Sequence, residues 1–206
     1  MPRPLSPVLA PCALFLLPLC SLAQHSGLGL KAGLLMSDTK SGVLHTEAIP
    51  NASAGLYFAL RAGDRLEIQP ELLLTSLGAG YTLAEGERGT VRTLYVQVPV
   101  SAKFYFSNVV NVQAGMQMGR LMMAQQHTPE GQADVTDTYE TWDYGLVLGA
   151  GADLISGLDL GIRYYNGMRP ILLNDDVFYP RNRSFMISAG YRLGRLRAPS
   201  MTKKRR

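Results

Sequence analysis

Beyond residue 23 the chain contains no cysteine, because Cys12 and Cys20 both fall in the first 23 residues. That opening stretch has a basic start (Arg3), the apolar run ALFLLPLC at residues 13–20, and the small-x-small triplet Ser21-Leu22-Ala23, the three parts of a cleavable export signal. We expect residues 1–23 to be removed after Ala23, leaving Gln24 first. A membrane anchor is disfavoured because Pro11 and Pro18 interrupt the short run, and lipid attachment at Cys20 because Leu19 is large where a small residue is wanted. With no mature cysteine, thiol catalysis and cysteine metal sites are excluded. No stretch reaches 18 consecutive apolar residues, so transmembrane helices are excluded as well. Histidine is scarce: His25, His45 and His127 are the three. Nucleotide-binding loops and metal-ligand spacings are absent.

A net basic excess is also missing from most of the chain. Residues 195–206 hold six of the 20 Lys and Arg and no acid, so elsewhere 14 bases stand against 16 acids. The pI of about 9.1 therefore describes a tail and is no nucleic-acid footprint. We expect this tail, residues 194–206, to be disordered and periplasmic, since Pro199, Ser200 and Lys203 to Arg206 bury no apolar surface.

What the chain does have is alternation. In TLYVQVPVSAKFYF (residues 93–106) Leu94, Val96, Val98, Val100, Ala102, Phe104 and Phe106 fall on one side of an extended strand. The pattern recurs over about residues 28–36, 52–62, 65–75, 110–118, 141–154, 158–165 and 184–193, giving eight strands. Each is long enough to cross a bilayer at a tilt, which takes about 9–11 residues. The second, fourth and sixth end in tight links: Gly63-Asp64, Ser107-Asn108 and Ile155-Ser156-Gly157. The links after the first, third, fifth and seventh strands are read as loops of about fifteen residues or more, although strand 3 can continue through Ala79 and Tyr81 into a strand 4 starting near Val91. The expectation is an all-β, eight-stranded antiparallel transmembrane barrel over residues 24–193, with short periplasmic turns and long extracellular loops.

Alternation alone also fits a soluble barrel with the apolar face inside. Aromatic placement decides between the two. On the apolar face Trp142, Tyr144, Tyr164 and Phe185 mark the outer ends of strands, and Phe104, Phe106 and Tyr191 the periplasmic ends, as two interfacial girdles require. The opposite face is rich in glycine, which suits a narrow interior.

The stretches AGLYFALRAGDRLEIQPELLLTSLGAGY (residues 54–81), LYVQVPVSAKFYF and GAGADLISGLDLGIRYYNGM (residues 149–168) resemble the PorT-type outer-membrane beta-barrel family of Bacteroidota-like bacteria. The resemblance implies an eight-stranded barrel and, for the family's namesake, a role in exporting proteins through the type IX secretion route. The basic tail departs from that pattern, in which the chain ends at the last strand.

The inward face is expected to carry Lys31, Arg61, Arg65, Glu67, Glu71, Lys103, Asp143, Asp153, Asp159, Arg163 and Arg192. Glu67 and Glu71 invite an acid/base reading, but eight strands leave an interior just wide enough for side chains, and near-balanced charges there read as a salt-bridge network. A rim site of His127 with Asp134 or Asp137 and Ser37 or Ser41 is conceivable on paper, yet these loop residues are poorly positioned. Glu130, Asp134, Asp137 and Glu140, in a loop of residues 124–140, read first as a solvated polar face and second as a site for divalent cations or a partner. Ile171, Leu172, Leu173, Val177, Phe178 and Tyr179 make the next loop unusually apolar, fitting either a cover over the barrel mouth or a protein contact. No catalytic, cofactor or metal site is expected. The functional expectation is a non-enzymatic outer-membrane protein, structural or accessory to surface assembly or secretion. Its expected partners are membrane lipid, lipopolysaccharide and a secretion-system or periplasmic protein, and the alternative is loop-mediated binding or adhesion.

Overall fold

The computed structural model describes residues 27–40, 46–82, 88–173 and 179–193. The expected export signal and basic tail, with His25, Ser41, His45, Val177 and Phe178, lie outside the described residues. Among the described residues nine strands form: β1 (Gly27–Lys40), β2 (Thr46–Arg61), β3 (Leu66–Thr82), β4 (Arg88–Tyr105), β5 (Val110–Thr128), the short β6 (Gly131–Asp134), β7 (Trp142–Asp153), β8 (Leu158–Gly167) and β9 (Arg181–Arg192). Every strand other than β6 pairs antiparallel with its neighbour, β4 passes to β5, and β9 returns to β1 from Gly29↔Arg192 to Lys40↔Arg181. The sheet is a closed eight-stranded barrel, with β6 an added edge on β5. Closure satisfies every strand's hydrogen-bonding edge, a necessity where no water is available.

The apolar set faces outward. Leu30, Leu74, Val100, Met116, Leu148, Ile162 and Ile187 are exposed on the outside, and so are both sets of girdle aromatics. Their alternation partners, among them Tyr57, Gln69, Gln97, Ser101 and Asn111, are buried in the lumen. A polar interior inside an apolar exterior is the inverse of a soluble barrel.

Glycine is what lets large side chains into so narrow a space. A Cβ on Gly29 would lie 2.2 Å from Cζ of Tyr57, whose ring crosses the lumen over it. Tyr57 has little freedom to retreat, being 1 % exposed, hydrogen-bonded to Asp159 and flanked by Lys31 and Arg192. Gly29→Ala is accordingly expected to cost about 1–3 kcal/mol through overpacking, read from the urea midpoint of the barrel refolded in liposomes. Gly63→Ala, in a periplasmic turn with nothing within 4 Å of the new Cβ, should stay within about 0.5 kcal/mol.

The periplasmic turns are tight, as expected. Ser107 Oγ accepts from the backbone N–H of Val109 and Val110 at 3.2 and 2.9 Å. Gly157 adopts φ +93°, the left-handed region that favours glycine. The outer links differ from expectation, two of them being only residues 41–45 and 83–87. The continuation of strands 3 and 4 above the membrane is present, and β5, which was expected to stop near Met118, joins it: β3, β4 and β5 run for 17, 18 and 19 residues, against 10 in β8 and 12 in β9. Backbone pairing keeps that wall extended after the lipid-facing alternation has ended. Two register shifts accompany the continuation, one between Ala48 and Ser53 in β2 and one opposite Leu94 and Tyr95 that leaves Met122 unpaired. The first absorbs Pro50, which has no N–H for the ladder. The barrel therefore has one tall wall, β2 to β5, and one short wall, β7 to β9.

Candidate functional site: the lumen and its cover

The lumen is layered. Nearest the periplasm, Arg192 bridges Glu67 at 3.2 Å, Asp153 at 3.2 Å and Asp159 at 3.6 Å, while Lys103 pairs with Asp153 at 3.1 Å. Tyr57 donates to Asp159 and Tyr105 to Asp153. One layer further out, Glu71 receives Lys31 at 2.6 Å and both terminal nitrogens of Arg163 at 2.9 and 2.6 Å. Gln69 Nε2 adds a fourth donor at 2.6 Å, and Arg163 reaches Gln113 Oε1 at 3.2 Å. The first layer has two bases and three acids, the second two bases and one acid, so their formal charges cancel. Between them is a water-sized cavity of about 10 Å³ lined by Lys31, Lys103, Gln113, Asp153 and Asp159. Bidentate pairing of buried, opposite charges with every carboxylate engaged makes a structural plug.

Glu67 and Glu71 thus sit in separate ion-pair layers and form no acid/base pair. Two residues expected inside lie elsewhere. Arg65 is exposed in the β2–β3 turn, and Arg61 bends toward the same turn, donating to Gly63 O at 3.1 Å. Arg61 stands at the last register position of β2 and Arg65 in the turn beyond it, where a long side chain reaches water. Asp143 is buried higher up, accepting from Asn182 Nδ2 at 2.8 Å.

Above the charges the interior turns apolar. Leu35, Leu77, Tyr95, Leu121, Ala124 and Met186 form one cluster, with Val135 and Tyr139 packed on it from the segment after β6. That segment is tied to β5 by Val135 N–H to Ala124 O at 3.0 Å and by Ala124 N–H to Thr136 Oγ1 at 2.9 Å, while Thr136 N–H and Oγ1 both donate to Asp134 Oδ1. The hydroxyl hydrogen bond from Thr136 is the larger cause holding the Asp134 carboxyl below its usual value. Burial, with Tyr81 nearby, pushes the Tyr139 hydroxyl up to about 12. A second segment crosses the first: Glu140 N–H donates to Ile171 O at 2.8 Å, Leu173 N–H to Thr138 O at 3.0 Å, and Arg169 pairs with Glu140 at 2.8 Å. Ile171 is 4 % exposed while Leu173 and Tyr179 face outward. The burial of Ile171 is what the cover reading of the apolar loop asks for, and the exposure of Leu173 and Tyr179 what the contact reading asks for.

Among the described residues the conceivable rim site does not assemble. Ser37 is buried in the lumen, donating to Gly78 O and accepting from Asn51 Nδ2, both at 2.7 Å. His127 is exposed on β5 between Thr90 and Gln132, a strand position that had been read as loop. The acids near it are spread out, and among the described residues no three His, Cys, Asp or Glu stand together as metal ligands. The apolar cluster was the feature sequence reasoning missed. Its signal was available, since inward positions turn from charged to apolar along β1 (Lys31, then Leu35) and β3 (Glu71, then Leu77).

The family model for the outer membrane protein beta-barrel domain matches residues 22–173. The chain belongs to that family. It is an integral outer-membrane protein, and β9, beyond the matched residues, completes the ring. Similar solved structures include Ail, the attachment invasion locus protein of Yersinia pestis, in complex with the heparin analogue sucrose octasulfate (15 % identity, TM-score 0.47, covering 82 % of this chain and 99 % of that one). Neisserial surface protein A is similar at 15 % identity and TM-score 0.48, with 80 % and 95 % of the two chains covered. OprG from Pseudomonas aeruginosa follows at 10 %, TM-score 0.45, with 82 % and 97 % covered. No curated protein matches the chain.

Proposed function

We propose that this barrel is a non-enzymatic, non-conducting scaffold that holds its tall wall above the cell surface as an accessory to surface assembly or protein secretion of the PorT kind. The observation that carries the reading is the doubly closed lumen, paired charges below and an apolar cluster with its cover above, beside a wall that continues well past the membrane. A conduit needs an open interior, and a rim enzyme needs polar groups converging on the mouth. In planar bilayers the purified protein is expected to give no stable large channel; steady porin-like currents would remove the scaffold reading. The secretion role is tested by comparing the secretome and surface proteome of a deletion strain with its parent. Loss of specific exported proteins, restored by the wild-type gene, is the expected result, and unchanged profiles refute it.

Loop-mediated binding is the second reading, favoured by Leu173 and Tyr179, exposed next to the buried Ile171. Exchanging both for Ser should abolish cross-linking to a surface neighbour and leave the barrel's heat-modifiable migration unchanged. Persistent cross-linking would exclude this surface.

A further inference from the structure

One buried carboxylate stays outside the ion-pair layers. Glu67, Glu71, Asp153 and Asp159 each meet a Lys or Arg, and the formal charges of their two layers cancel. Asp143, 2 % exposed in the upper lumen, has no Lys or Arg within ion-pairing distance among the described residues. Its Oδ2 accepts from Asn182 Nδ2 at 2.8 Å, whereas Oδ1 is buried without a hydrogen-bond partner. The Tyr95 hydroxyl, near the same carboxylate and fully buried, has no partner either. Arg169, a cation that the Asp143 charge reaches, is held by Glu140 at 2.8 Å in the cover.

The backbone leaves room beside the free oxygen. The inward positions around Asp143 are glycines: Gly119 is its ladder partner on β5, and Gly145 and Gly167 pair with each other. A Cβ on Gly167 would stand 2.9 Å from the Asn182 carbonyl oxygen and 3.4 Å from Asp143 Oδ1. Two oxygens thus flank a point that no side chain of Gly167 fills.

We propose that Asp143 Oδ1 and the Asn182 carbonyl oxygen, with the Tyr95 hydroxyl beside them, hold one monovalent inorganic cation, Na+ or K+, beneath the cover. Leaving a carboxylate buried without a counter-charge is costly. A water molecule would satisfy the free oxygen and leave the charge uncompensated, whereas a monovalent cation answers both. Hard oxygen donors select a hard cation, and one carboxylate neutralises a single charge. Divalent cations gather several carboxylates or keep most of their water, and neither is provided around Asp143.

The full barrel, refolded in liposomes of zwitterionic lipid, is unfolded with urea in NaCl, in KCl and in N-methyl-D-glucamine chloride at equal ionic strength. The organic cation is too large for the space beside Gly167. We expect a higher midpoint in Na+ or K+, rising with the logarithm of the ion's concentration, as for any ligand that binds the folded state alone. Asp143→Asn, which keeps the shape and removes the charge, should give the same midpoint in all three salts. Gly167→Ala puts a methyl group in the space and should raise the cation concentration needed about tenfold. Heat-modifiable migration verifies that every variant is folded. Equal wild-type midpoints in the three salts overturn the proposal, as does a cation response that survives Asp143→Asn. A response that appears only in Arg169→Gln overturns it too, because Arg169 would then be the counter-ion of Asp143.

Discussion

Glu71→Ala should destabilise the barrel by about 3–5 kcal/mol, because it strips the shared carboxylate from Lys31 and Arg163 and leaves two cations buried side by side. The measurement is the urea midpoint for unfolding from liposomes, with a heat-modifiable band as the folded-state check. The expected loss is mostly the penalty of uncompensated charge and not the worth of the bonds themselves. Replacing Lys31, Glu71 and Arg163 together by Met, Leu and Met should therefore recover most of it, since apolar substitutes for a whole buried ion cluster are often neutral or better. A loss under about 1 kcal/mol for the single variant would mean that water reaches the layer and relieves the charge.

Leu148→Arg should cost about 2–4 kcal/mol, the range for a cation near the bilayer midplane on the lipid face of a barrel. Leu148 is 59 % exposed on the outside, with Ala114 and Tyr164 as its ladder neighbours. Leu154→Arg, at the periplasmic turn, serves as the depth control and should cost about 0–1 kcal/mol. The discriminating result is the gradient. Equal penalties at the two positions would contradict a membrane around this face, whatever their size.

The fold could be read from the sequence because period-two alternation and girdle aromatics are local signals. Every residue of TLYVQVPVSAKFYF takes the face its parity assigns, and the same holds for Leu148, Ile162, Trp142 and Phe185. Parity also gave nine charged lumen residues correctly as inward-pointing, including Lys31, Glu71 and Arg163, yet it carries no information on height. For that reason Arg61 and Arg65 were counted with the lumen although they stand at its edge. The strand ends were underestimated for a related reason. Above the membrane nothing selects for an apolar face, so β5 from Gly119 to Thr128 reads as loop until its pairing with β4 is seen. The cover over the mouth depends on contacts between segments some thirty residues apart, Arg169 with Glu140 and Ile171 with Glu140, which alternation does not encode.

The ion pairs of the interior join strands that are made at opposite ends of the chain: Glu71 in β3 waits for Arg163 in β8, and Glu67 for Arg192 in β9. A partly assembled sheet, curled but still open, carries Lys31, Glu67, Glu71 and Lys103 on one face with half of their counter-ions not yet in place. Such a face stays in water or against another polar wall. Ring closure is therefore expected to accompany entry into the hydrocarbon, and a species halted after β7 is expected to stay at the membrane's periplasmic edge.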